Sequence, residues 1–124
     1  MAYHVSVHTQ HEDGWKRQIY RKTVGADNIV FSYWTVPAYE IGLPLLAQIY
    51  HDGLELSSAQ FDQLLCELQL LEKHWVESGA GNSDQIVRPG EDGLWLSEYL
   101  HAKAGLVREA VRIARESVGL VDIS

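Results

Sequence analysis

The stretch LSSAQFDQLLCELQLLEKHWVESG, residues 56–79, constrains the fold of this chain more than any other. Ser57 and Gln60 stand three apart, the spacing at which a serine oxygen accepts from the third helical N–H and the glutamine reaches back to the cap. Leu56 and Phe61 flank that turn as a hydrophobic staple. Lys73 and His74 suit the negative pole of the helix dipole, and Gly79 suits the left-handed residue that ends many helices. The pattern predicts a helix over residues 58–77. At about 100° per residue, Phe61, Leu64, Leu65, Leu68, Leu71, Trp75 and Val76 share one face, so this helix packs on something large. Cys66 and Leu70 form a second apolar spot on the opposite side. Glu72 falls inside the main stripe. Snorkelling at the edge is its ordinary reading, and a buried carboxylate with a partner is the other.

The remaining elements are arranged around this helix. Residues 3–9, YHVSVHT, alternate as a half-buried strand, and QHEDG at 10–14 reads as a hairpin turn. Residues 15–23, WKRQIYRKT, form a second strand whose cations suit a sheet edge. Residues 29–36, IVFSYWTV, are apolar or aromatic on both faces and read as a third, central strand stopped by Pro37. Pro44 starts a short helix over 44–51, because Leu45, Leu46, Ile49 and Tyr50 then fall at helical spacing. Residues 78–93 carry four glycines and read as a mobile loop. A last helix over 94–118 has Leu96, Leu100, Val107, Val111, Ala114 and Val118 on one stripe. Arg112 stands at helical spacing from Glu109 and Glu116, and Gly119 closes the helix. Gly105 marks either a close helix crossing or a kink.

The expected fold class is α+β. A three-stranded antiparallel meander over residues 3–36 is packed on one face by two long C-terminal helices, with one short linking helix. A length of 124 residues fits a single domain, and 46% hydrophobic with 22% charged residues is ordinary globular composition. One cysteine, Cys66, permits no intrachain disulfide. The first residues, MAYHVSVHTQ, lack the basic and apolar regions of a secretory leader, and no apolar run reaches membrane-spanning length. A cytoplasmic protein that contacts no membrane is the expectation. The net charge of −7, with no basic patch in the sequence, argues against nucleic acid and for a basic protein partner.

No motif carries chemistry outright. His4 and His8 share a strand face but lie about 13 Å apart at strand rise, and His11 sits in the turn. The ligand spacings of a zinc site are absent, so no metal and no cofactor are expected. Cys66 lies mid-helix, away from the N-terminal dipole that would lower its pKa. Glu72, His101 and His51 make a candidate polar site if folding brings them together. Tyr33, Trp34, Trp15, Tyr20 and Leu70 are the candidate binding surface, because Trp and Tyr dominate protein interfaces and Tyr33 and Trp34 cannot both face one core from a strand.

These features point to a non-enzymatic protein-binding module, for instance a small acidic immunity or antitoxin-like protein. A small enzyme using His and Glu in the crevice between sheet and helices is the second reading, and a structural homo-oligomer is the third. A two-faced strand at 29–36 would leave apolar surface bare, so a homodimer or a stable partner contacting Trp34 or Leu70 is expected.

Overall fold

In the computed structural model, which describes residues 2–10, 14–86 and 94–124, the first two alternating segments pair as an antiparallel hairpin, β1 (Ala2–Gln10) and β2 (Lys16–Ala26). Val5, Val7 and Val24 turn into the core, and two register slips let the long pair twist. Two further strands complete the sheet: β3 (Leu54–Leu56) and, at the end of the chain, β6 (Leu120–Ile123). The order is β2-β1-β6-β3, antiparallel throughout. The fold is α+β as expected, but the sheet has four strands and only its first hairpin is a meander.

The expected third strand is a helix. Residues 27–41 run as α1 (Asp27–Ile29), a π-helical stretch (Val30–Thr35) and α2 (Val36–Ile41). Tertiary burial overrides strand propensity here: Val30, Trp34 and Ala38 recur every four residues and are all fully buried, whereas Phe31 and Tyr39 face outward. Pro37 therefore does not stop the segment. In a regular helix residue 37 would donate its N–H to the carbonyl of residue 33, which proline cannot do. Two adjustments compensate. Val36 N–H reaches back five residues to the Phe31 carbonyl. The stranded Tyr33 carbonyl accepts the indole Nε1–H of Trp75 at 2.6 Å.

Gly42, in the left-handed conformation at φ +77°, ends α2. The next segment coils as a 3-10 turn (Leu46–Gln48) and α3 (Ile49–Asp52), close to the expected linking helix. Its start is held by Glu67, whose Oε1 accepts the backbone N–H groups of Leu45 at 3.0 Å and Leu46 at 3.1 Å. Gln63 Nε2 donates to the other oxygen at 2.9 Å, and Glu67 is 4% exposed. A carboxylate thus replaces the missing partners of a helix start.

The central helix is as expected. Ser57 and Gln60 form the reciprocal capping box, a 3-10 turn (Ser58–Gln60) leads in, and α4 (Phe61–Ser78) ends at a left-handed Gly79. Its buried stripe is Phe61, Leu64, Glu67, Leu68, Leu71 and Trp75; Val76 is exposed. Residues 79–84 turn tightly and satisfy the start of the last helix, with Gly81 O accepting from Ser97 N and Asp84 O from Leu96 N. The short strands β4 (Gln85–Ile86) and β5 (Leu94–Trp95) pair, and the tip of the expected mobile loop, 87–93, lies outside the described residues. The last helix, α5 (Leu96–Ser117), buries Leu96, Leu100, Val107, Val111 and Ala114 as read from the sequence. Val118 does not join that stripe: it caps the helix at φ +55° and is exposed. Gly105 is no crossing point, since nothing lies within 4 Å of where its Cβ would stand.

α5 lies across β1 and β2, while α4 packs chiefly on α5, on α2 and on the turns at its own start. The two long helices therefore do not share one sheet face equally. The 27–41 helical segment takes up the α4 surface that a wider sheet would have covered. Trp34 is fully buried inside its own chain, which removes the expectation that an exposed Trp34 seeks a partner.

Candidate functional site

Two constellations emerge from this packing. The first lies between the long helices. Glu72 Oε2 stands 2.7 Å from His101 Nδ1, and the Arg108 guanidinium lies against Oε1. The Glu72 side chain is 18% exposed, so it is a partnered, largely buried carboxylate and not a snorkelling one. Trp75, one turn further along α4, sets its ring edge-on to His101 at 5.5 Å and to Trp34 at 5.3 Å. An unbroken row of contacts thus runs from Arg108 through Glu72, His101 and Trp75 to Trp34 in the π-helix. With both carboxylate oxygens engaged, the row acts as a tie between α4, α5 and the helical segment.

The second constellation is a groove. The π-helix and α2 form one wall and the Pro44–Asp52 segment the other. The groove has a volume of about 760 Å³ and is lined by Phe31, Thr35, Val36, Tyr39, Glu40, Pro44, Ala47, Gln48 and Asp52. That volume lies within the range of sites that seat a ligand or a partner's side chain. The walls are apolar or aromatic, and both charged members among the described residues are acidic. Tyr39 is 80% exposed. The Phe31 ring packs on Tyr50 at 4.8 Å, and Tyr50 stacks on Tyr3 at 6.1 Å, so an aromatic row leads away from the groove mouth. Tyr3 O–H donates to the Tyr50 carbonyl at 2.7 Å and fixes that row.

The geometry follows from the local fold. A π turn is wider than an α turn and displaces side chains from their ordinary helical positions. Glu67, reaching up from α4 to hold Leu45 and Leu46, sets where the opposite wall begins. Thr35 lies in the groove lining at 5% exposure, and its hydroxyl has no hydrogen-bond partner among the described residues.

The structure brings Glu72 and His101 together. His51 lies in α3, with its side chain outside the described part of the chain. Tyr33 is half-buried, its carbonyl bound to Trp75 and its hydroxyl 3.5 Å from Asp84 Oδ2; burial, then the Asp84 charge and hydrogen bond, raises the phenol pKa. Tyr20 is also half-buried, donating to the Leu106 carbonyl at 3.2 Å, and burial followed by the Glu109 charge raises its pKa. Trp15 is 74% exposed beside the hairpin turn, and Leu70 is 45% exposed on the outer side of α4 near Ile41. Glu72, His101, Tyr33, Tyr20, Trp15 and Leu70 do not line the groove. Sequence reasoning missed the groove because residues 29–36 were read with a period of two; the four-residue recurrence of Val30, Trp34 and Ala38 was the signal that would have found it. Glu67 was likewise passed over beside Cys66.

On the outer face of the sheet, His4 Nδ1 is 3.3 Å from Arg21, and burial followed by the Arg21 charge lowers the His4 pKa. His11 lies outside the described residues, and among those described no group of three or more His, Cys, Asp or Glu is placed to hold a metal ion. No helix among them is long and apolar enough to cross a membrane. No known protein family, curated protein or solved structure matches the chain.

Proposed function

We propose that the protein is a binding module whose groove between the π-helix and the Pro44–Asp52 segment seats a basic segment of a partner protein. One observation carries the reading: the groove is walled by apolar and aromatic side chains, it includes Glu40 and Asp52, and no Lys or Arg among the described residues lines it. Burial of partner surface on Phe31, Val36, Tyr39, Pro44 and Ala47 supplies affinity, since apolar and aromatic contacts at the centre of an interface contribute most. The two carboxylates select a cationic partner and penalise an acidic one. The net charge of −7 adds long-range attraction in the same direction. An inhibitor of the immunity or antitoxin kind, masking a basic toxin, is one concrete form of such a module.

The acid–base enzyme reading has less support. Glu72 and His101 do meet, but Glu72 is held on both oxygens and neither residue belongs to the groove. A general base needs a free lone pair facing its substrate.

Selection from a displayed peptide library tests the proposal, with the wild-type chain as bait and Tyr39→Ala as control. Tyr39 is largely solvated, so its loss leaves the fold unchanged. Enriched peptides are expected to combine Lys or Arg with apolar residues and to bind Tyr39→Ala at least tenfold more weakly. Peptides that are acidic, or that bind both proteins equally, overturn the reading.

A further inference from the structure

The described polar groups of the groove offer more hydrogen-bond acceptors than donors, and its charged members are carboxylates. Glu40 and Asp52 contribute carboxylates, which accept only when charged. Gln48 donates one amide N–H to the Pro44 carbonyl, 2.9 Å away, which leaves its amide oxygen to accept. The Thr35 hydroxyl, buried in the lining, stands without a hydrogen-bond partner among the described residues and can donate or accept. Flat rings, those of Phe31 and Tyr39, supply the rest of the surface.

A site with a surplus of acceptors, ring faces and no Lys or Arg among its described lining residues asks for a ligand that is rich in donors, planar and positive. An aromatic or aliphatic anchor would cover the carboxylates and leave them desolvated and unpaired. A lysine ammonium is a compact, strongly hydrated point charge with no plane to lay on a ring. A guanidinium carries five N–H donors in a fixed fork, has no acceptor, and packs its face on aromatic rings. We infer that the residue seated in this groove is an arginine of the partner protein, its plane against Tyr39 or Phe31 and its N–H groups shared between Glu40 and Asp52. The inference rests on the binding-module reading and names the side chain that the module recognises.

Four capped tripeptides test it by amide chemical-shift titration of the 15N-labelled protein: acetyl-Gly-Xaa-Gly-amide with Xaa arginine, citrulline, lysine or leucine. Citrulline keeps the shape and removes the charge. The arginine peptide is expected to shift the amides of Phe31, Thr35, Tyr39, Ala47 and Gln48, and to bind about fivefold or more tightly than citrulline or lysine. The Glu40→Gln/Asp52→Asn double variant, altered only at exposed positions, should melt as the wild type does and erase the difference between arginine and citrulline. If leucine shifts the same amides and arginine binds no better, the groove still binds a partner but the arginine assignment falls. If none of the four shifts them, the groove reading falls with it.

Discussion

The bond between the Trp75 indole and the Tyr33 carbonyl makes a prediction that separates cause from coincidence. Pro37 removes the backbone donor that this carbonyl would otherwise have, and Trp75 replaces it at 2.6 Å. Trp75→Phe should therefore lose the hydrogen bond and leave the carbonyl partly desolvated, a cost of about 1–3 kcal/mol. The smaller ring also leaves a gap in a site that is 2% exposed and weakens the edge contact with Trp34, adding roughly 1 kcal/mol. The sum is about 2–4 kcal/mol, which for a chain of 124 residues lowers Tm by roughly 8–15 °C. The sharper test is a double-mutant cycle. Pro37→Ala restores an N–H at residue 37 that can bond to the Tyr33 carbonyl within the helix. In that background Trp75→Phe should cost about 1 kcal/mol less than in the wild type, measured by urea unfolding at constant m-value. Effects that add to within about 0.4 kcal/mol would refute the reasoning, since the indole would then be acting by packing alone.

Two further outcomes follow from single residues. Gly105→Ala should stabilise the protein by about 1 kcal/mol, because α5 gains a good helix former at an open position, and thermal melting reads this directly. Glu67→Ala should destabilise by about 3 kcal/mol, since two backbone N–H groups lose their partner in a buried site; Glu67→Gln, which keeps an acceptor there, should cost about 1 kcal/mol by urea unfolding.

Wherever one side of an element faces water and its ends carry their own caps, the chain alone decided the structure. The α4 helix is the clearest case, with Ser57 and Gln60 at one end, Gly79 at the other and an apolar stripe between them. The hairpin of β1 and β2 and the body of α5 were legible from their one-sided apolar patterning. Residues 29–36 were not, because a segment apolar on nearly every side fits a period of two as well as the four-residue recurrence of Val30, Trp34 and Ala38, and its neighbours decide which side chains are buried. Trp75, arriving from α4, supplies the hydrogen bond that makes a helix through Pro37 tolerable. The strands β3 and β6 are too short to announce themselves; they exist because each finds an antiparallel partner, and β6 finds two. The candidate site inherits this division. Glu72 and His101 were legible as chemistry but not as neighbours, since their 2.7 Å contact joins two helices 29 residues apart in sequence. The groove exists only because a segment with strand-like composition is wound into a π-helix and faced by a turn that Glu67 holds in place, and both conditions are contacts between residues distant in the chain.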